Sequence, residues 1–122
     1  MHEGVYRKAI TVAFYRTKMG AEPVREWLLS MNKADRVAIG ADIKTLEFGW
    51  PLGMPVCRAM RDGLFEVRTR LDGNRHSRVF FCVLDKHLLL LHGFIKKQRA
   101  TPQKDLNLAI KRKSEVEYEQ RK

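Results

Sequence analysis

The sequence predicts a single α+β domain, with an N-terminal strand, an antiparallel helical hairpin, a mostly antiparallel sheet meander and a C-terminal helix in that order. Three observations predict it. Apolar residues alternate in the run 8–16, they recur at helical spacing between Pro23 and Gly49, and strand-like runs separated by turn residues fill 64–95. With 122 residues, 44% of them hydrophobic, the chain can build one modest core, so we expect one domain over 1–122.

The N-terminal half is predicted as a strand and two helices joined by a very short connection. The first strand places Ile10, Val12 and Phe14 on one face. Pro23 suits the first turn of a helix, and Asn32 is a good cap for the next one, with Asp35 three residues on and Gly49 at its end. The expected core-facing residues are Val24, Trp27, Leu28 and Met31 of the first helix and Val37, Ile39, Ile43 and Leu46 of the second.

The C-terminal half is predicted as a sheet followed by a helix. A weak strand near 56–60 precedes strands near 64–71, 77–84 and 88–95, with turns at 72–74 and 85–86. Thr101 is expected to cap the last helix with Pro102 at its first position, above an apolar stripe of Leu106, Ala109 and Ile110. Beyond that stripe the chain is almost wholly polar, so a frayed end is expected over about 111–122.

Positive charge is concentrated in one segment of the chain. Residues 57–104 contain eleven basic and four acidic side chains and so contribute +7 of the formal net charge of +10. A small sheet with this charge suits a polyanion, and RNA or DNA is the first candidate. The alternative is a basic surface without a partner, because charge alone is weak evidence.

The candidate site lies on the charged strands. Alternation puts Glu66, Arg68 and Arg70 on one face of their strand, Arg78 opens the next strand, and a Lys96–Lys97 pair closes the last. Arginine and lysine would hold a phosphate and stabilise the charge that builds on it during attack by a ribose 2′-hydroxyl, with Arg68 and Arg78 at the scissile group. Glu66 could accept the hydroxyl proton, or it could form a cross-strand salt-bridge ladder with its arginine neighbours.

Other reactive residues give weaker signals. His92, near the end of the last strand, could shuttle protons, or it could be a half-buried structural residue. His76 is assigned to a turn, and Arg75, also in a turn, is expected to matter little. No metal-ligand spacing or phosphate loop is present, so no metal and no cofactor are expected. Cys82 lies in an apolar run, which favours a buried structural thiol.

Four segments together resemble a known family: FGWPLGMP, GLFEVRTR, SRVFFCV and HGFIKKQRATP. As a set, over roughly Ile10 to Ile110, they resemble the phage-derived HigB-like toxins of the RelE/ParE superfamily. The resemblance implies a RelE/ParE-like fold and a toxin from a toxin–antitoxin operon. Relatives of the HigB and RelE kind cleave mRNA in the ribosomal A site with basic residues and a proton-transfer group, without a metal.

Carried over by position, the family's functional residues match Glu66, Arg68 and Arg78 and the pair Lys96 and Lys97. The chain departs from many RelE-like toxins in lacking a tyrosine shortly after the basic pair, where it runs Gln-Arg-Ala-Thr-Pro. The general acid and base are therefore left open among Glu66, His92 and a lysine. The residues expected to bind RNA are Arg70, Lys96, Lys97 and Arg99.

We therefore expect a ribosome-dependent, metal-independent mRNA endoribonuclease, neutralised by a cognate antitoxin with a helix-turn-helix DNA-binding fold. The first alternative is a ParE-like gyrase poison on the same fold, and the second is a non-catalytic basic module that binds nucleic acid. The cytoplasm is the expected location, because the two cysteines suit a reducing compartment and the N-terminus lacks the apolar stretch of a signal peptide. No membrane partner is expected, since the longest purely apolar run, Leu88–Leu91, is much too short to cross a bilayer.

Overall fold

The computed structural model describes residues 10–51, 57–97 and 99–121, and confirms a mixed α+β domain. Five strands form one sheet in the order β1-β5-β4-β3-β2, with β1 parallel to β5 and the other neighbours antiparallel. Positions 8 and 9 of the first predicted strand and position 56 of the weak strand lie outside the described residues. The elements are β1 (Thr11–Phe14), α1 (Pro23–Leu29), α2 (Lys33–Gly49), β2 (Cys57–Ala59), β3 (Phe65–Leu71), β4 (Arg75–Leu84), β5 (His87–Lys96) and α3 (Gln103–Arg121).

Each face of the sheet carries its own apolar core. Helices α1 and α2 cover one face, where Val67, Val79 and Phe81 are fully buried against them. Helix α3 covers part of the other face through Leu106 and Ala109. The two consecutive helices are confirmed. Helix α1 lies mainly on β5 and β1, and α2 lies mainly on β3 and β1, since each helix has its apolar stripe turned to the sheet.

Helix α2 confirms the predicted cap and corrects one core residue. The Asn32 side chain accepts a hydrogen bond from the Asp35 amide at 2.8 Å. Ile39, Ile43 and Leu46 are buried as predicted, but Val37 is 57% exposed. Two residues are about 200° of helical rotation, so a side chain at position 37 cannot share the stripe of position 39. The stripe continues instead to position 35, one turn earlier, where an aspartate is buried.

The turns and the sheet interior follow the sequence closely. Asp85 and Lys86 both have positive φ, +52° and +65°, as a two-residue hairpin turn requires.

The aromatic Trp27 is a core residue as predicted, and its ring lies directly over Gly93 of β5. A Cβ at position 93 would lie 2.3 Å from a ring carbon, so only glycine allows this approach.

Helix α3 begins later than predicted and continues through the polar segment of the chain. It begins at Gln103, one residue later than predicted, and the Pro102 carbonyl accepts a hydrogen bond from the Leu106 amide at 3.2 Å. The helix continues through the polar segment as far as Arg121, and two of its polar residues have partners on or beside the sheet. Arg112 donates to the Leu91 carbonyl at 2.8 Å, and Tyr15 of the first strand region donates to Glu115 at 2.5 Å.

Candidate nucleic-acid interface

Six side chains from four strands lie on the sheet face that α3 only partly covers. The contacts Tyr15–Glu115, Leu91–Arg112 and His92–Asp105 show that α3 runs antiparallel to β5, with its first turn beside His92. Two rows of paired residues follow beyond that turn. Each row consists of residues paired side by side on β3, β4 and β5. The row nearer the turn is Arg68–Arg78–Phe94, and the outer row is Arg70–His76–Lys96. Arg58 of β2 pairs with Glu66 of β3, two residues before Arg68. We call the set Arg58, Arg68, Arg70, His76, Arg78 and Lys96 the basic face.

A buried carboxylate underlies the basic face. Glu66 is 1% exposed, and its Oε1 lies 3.7 Å from Arg78 Nε and 3.8 Å from Arg68 Nε. Among the residues that the structure describes, neither Glu66 carboxylate oxygen has a hydrogen-bond partner. The predicted salt-bridge ladder is therefore present, and it holds the carboxylate by charge rather than by close hydrogen bonds.

Arg78 lies beneath the surface rather than on it. It is 5% exposed, and its guanidinium donates to the Ser77 carbonyl at 3.0 Å. Burial lowers the pKa of Arg78, Glu66 acts against that shift, and the nearby cations Arg68 and Arg58 add to it. Arg68 is more accessible, with 31% of its side chain exposed. An incoming phosphate would therefore meet Arg68 before Arg78.

Lys96 takes part in the same electrostatic cluster. Burial lowers its pKa first, and the positive charges of Arg78, Arg68 and Arg58 lower it further, while Glu66 opposes them. A lysine in this environment gives up its proton more readily than a solvated one. It is half-buried at the end of β5, so it remains within reach of a ligand on the basic face.

His92 is engaged in the packing of α3. Its Nε2 lies 2.6 Å from Asp105 Oδ1 in the first helical turn, and its ring stacks on Phe94 with centroids 5.8 Å apart. Only 17% of the side chain is exposed. The structural role left open by the sequence is therefore present: the histidine fastens the start of α3 to the sheet.

The remaining predicted residues lie at the edge of the cluster. Arg70 belongs to the outer row of the basic face and is exposed. Lys97 and Arg99 are also exposed, in the segment between β5 and α3, so they extend the positive surface beyond the sheet. The structure thus brings together Glu66, Arg68, Arg78 and Lys96, with Arg70 beside them.

Two residues of the basic face were missed by sequence reasoning. Arg58 lies directly opposite Glu66 on β2, and His76 lies in β4 between Arg70 and Lys96 rather than in a turn. The turn assignment was wrong because β4 begins two residues earlier than predicted, at Arg75. The signal that identifies both is the pairing register, which requires the turn lengths and strand ends to be known.

Arg75 is also more important to the fold than its turn position suggested. Its guanidinium contacts both carboxylate oxygens of Asp35, at 2.7 and 2.9 Å, and joins the start of α2 to the β3–β4 hairpin. These hydrogen bonds hold the pKa of Asp35 below its usual range, although desolvation of the carboxylate opposes the shift. The pair lies on the α2 side of the sheet, away from the basic face.

Neither cysteine resembles a reactive thiol. Cys57 and Cys82 are both buried, and burial raises the pKa of each to about 11. The prediction of a structural role for Cys82 is thereby supported. Within the described residues, no three His, Cys, Asp or Glu side chains group in a way that could hold a metal ion. Nor does any helix in that part of the chain have the length and apolarity needed to span a membrane.

A separate cleft lies at the other end of α3. It has a volume of about 1160 Å³ and is bounded by residues 15–18 after β1 and by the C-terminal half of α3, including Lys111 and Tyr118. Its lining contains no member of the basic face, and we take the basic face, where cations from four strands cluster, as the candidate site.

A comparison with protein families matches residues 26–114 to the family described as phage-derived protein Gp49-like (DUF891). The matched segment runs from α1 into α3 and contains the whole basic face. The family is toxin-like and occurs in toxin–antitoxin systems. A search of the curated proteins finds no match to the chain.

Proposed function

Because the chain belongs to the phage-derived Gp49-like family, we propose that it is the toxin of a toxin–antitoxin pair and acts as a ribosome-dependent mRNA endoribonuclease. The family supplies the toxin-like character and the expectation of an antitoxin. The observation that carries the nuclease proposal is the basic face itself. Several cations on adjacent strands surround one buried carboxylate on the sheet face that α3 covers only in part.

The chemistry of the basic face fits transfer of a phosphoryl group. When a ribose 2′-hydroxyl attacks the neighbouring phosphate, negative charge increases on the phosphoryl oxygens, and fixed cations stabilise it. In this proposal Arg68 contacts the phosphate, because its side chain is partly exposed. Arg78 and Glu66 lie below and hold the cluster in position through their ion pair. Lys97 and Arg99 follow the RNA backbone beyond the site.

The ribosome is the proposed place of action because sequence-specific recognition of RNA favours unpaired segments, and a message threaded through the ribosome is presented as a fixed single strand. The antitoxin is proposed to be a helix-turn-helix DNA-binding protein. Gyrase poisoning and non-catalytic binding of nucleic acid are the competing outcomes of the test.

The proposal is tested by expressing the chain from a tight promoter and mapping the ends of a reporter message. We expect growth to arrest and the message to be cut inside its reading frame, while a copy without a start codon stays intact. Arg68→Ala should lower the cleavage rate by roughly 100-fold or more, as loss of one charge-stabilising donor does elsewhere. Arg121→Ala, an exposed arginine at the far end of α3, serves as the matched control.

Two results would contradict this function. Arrested cells whose translated messages remain intact, with gyrase trapped on DNA, would identify the gyrase poison. Salt-sensitive binding of RNA by the purified protein, with no cleavage on or off the ribosome, would identify the non-catalytic module.

A further inference from the structure

We propose that His76 accepts the proton of the attacking 2′-hydroxyl, an inference that rests on the nuclease function proposed above. His76 is the central residue of the outer row on the basic face. It pairs with Arg70 on β3 and with Lys96 on β5, so cations flank it on both neighbouring strands. Directly paired antiparallel residues point to the same face of a sheet and have Cβ atoms about 5 Å apart.

The position of His76 relative to the arginines follows from the strand alternation. His76 and Arg78 are two residues apart on β4, so their side chains lie on the same face at a spacing of about 7 Å. Arg68 pairs with Arg78 and is therefore the diagonal neighbour of His76, at a similar distance from it. A phosphate held by Arg68 would therefore place its ribose within reach of an imidazole in the next row.

The other candidate bases are less available to a ribose hydroxyl. Glu66 is 1% exposed and lies beneath Arg68 and Arg78, so a hydroxyl could reach it only if an arginine moved away. His92 is beside Asp105 under the first turn of α3. His76, in contrast, is half-buried on the part of the face beyond that helix. Histidine is also the side chain that exchanges protons most readily around neutral pH.

The proposed step balances as follows. The 2′-oxygen forms a bond to the adjacent phosphorus while its proton passes to an imidazole nitrogen of His76. The bond between phosphorus and the 5′-oxygen breaks, and the Lys96 ammonium gives that oxygen a proton. The products are a 2′,3′-cyclic phosphate and a 5′-hydroxyl. The lowered pKa of Lys96 supports its part as the proton donor.

The test compares three single variants of the full chain, each assayed for cleavage of ribosome-bound message with saturating and limiting ribosomes. His76→Gln keeps a polar side chain but cannot exchange protons, and we expect its kcat to fall by about 100-fold or more with KM within about threefold of wild type. His87→Gln is the matched control, because His87 is an exposed histidine at the start of β5. We expect it to cleave as the wild type does. His92→Gln should instead lower thermal stability, since it removes the contact with Asp105.

A second variant and a pH profile separate proton transfer from a structural role. Added imidazole should restore part of the activity of His76→Ala, and the acidic limb of the pH–rate profile of the wild type should be lost in His76→Gln. If the wild type cleaves messages and His76→Gln cleaves them within about threefold, the inference is wrong and the nuclease function stands. If the wild type cleaves no message, the proposed function itself is wrong, and the inference falls with it.

Discussion

The buried ion pair between Glu66 and Arg78 predicts a large loss of stability when only the negative charge of Glu66 is removed. Glu66 is 1% exposed and the Arg78 side chain 6%, so neither charge has water to replace a lost partner. Glu66→Gln keeps the shape of the side chain but leaves the buried Arg78 cation without its counter-charge. Breaking a buried pair in this way costs about 3–5 kcal/mol, and we expect about 3 kcal/mol because the glutamine amide still offers an acceptor.

Urea denaturation of the purified variants measures this loss. With an m value of about 2 kcal/mol per M, the midpoint of Glu66→Gln should fall by roughly 1.5 M. The matched control is Arg68→Gln. The Arg68 side chain is 31% exposed, and this substitution leaves the Glu66–Arg78 pair intact. We therefore expect the free energy of unfolding to fall by no more than about 1 kcal/mol.

A double variant refines the test. Replacing both members of a buried pair by apolar residues is often neutral. The free energy of unfolding lost by the double variant Glu66→Met/Arg78→Met should therefore be far smaller than the sum of the losses of the single variants Glu66→Met and Arg78→Met. The reasoning is refuted if Glu66→Gln unfolds within about 0.3 M of the wild-type midpoint. It is also refuted if the two single losses simply add, because an interacting pair must show coupling.

Two further predictions concern packing and acid stability. Gly93→Ala should lower the melting temperature by roughly 5–10 °C, because its Cβ would lie 2.3 Å from the Trp27 ring. The control is Gly40→Ala, which should not lower the melting temperature, because a Cβ at position 40 meets nothing within 4 Å. Equal melting temperatures for the two variants would contradict this prediction. Because Arg75 lowers the pKa of Asp35 from 3.8, the stability from this pair is complete above about pH 4 and is lost as the pH falls through the lower, folded-state value. The urea midpoints of wild type and Arg75→Ala should therefore converge below about pH 4, and a constant difference would exclude this linkage.

Features set by neighbouring residues in the sequence were the most predictable. The Asn32 cap with the Asp35 amide and the turn at Asp85 and Lys86 each depend on a few consecutive residues, and the structure confirms them. The end of α3 was not predictable in the same way. The partner of Glu115 is Tyr15, which is 100 residues away in the sequence, so a run of polar residues gave no sign of being held on the sheet.

The residues of the candidate site were largely predictable from the sequence, but the depth at which each side chain is buried was not. Alternation placed Glu66 and Arg68 on the same face of β3, and the structure brings both close to Arg78. Alternation cannot show depth, however, because burial of Glu66 and Arg78 depends on side chains that neighbouring strands contribute. His76 was missed for a related reason. Its place between Arg70 and Lys96 follows only from the register of three strands.

The chemistry at the 3′ end of a cleaved message tests the central claim most directly. The purified protein would be added to ribosomes stalled on a defined message, and the fragments would be treated with a phosphatase that acts on 3′-phosphates, with and without prior acid opening of cyclic phosphates. Attack by a ribose 2′-hydroxyl predicts upstream fragments that end in a cyclic phosphate or 3′-phosphate, downstream fragments with a 5′-hydroxyl, and no cleavage without ribosomes. Upstream fragments ending in a 3′-hydroxyl, or a message that remains whole, would contradict the account.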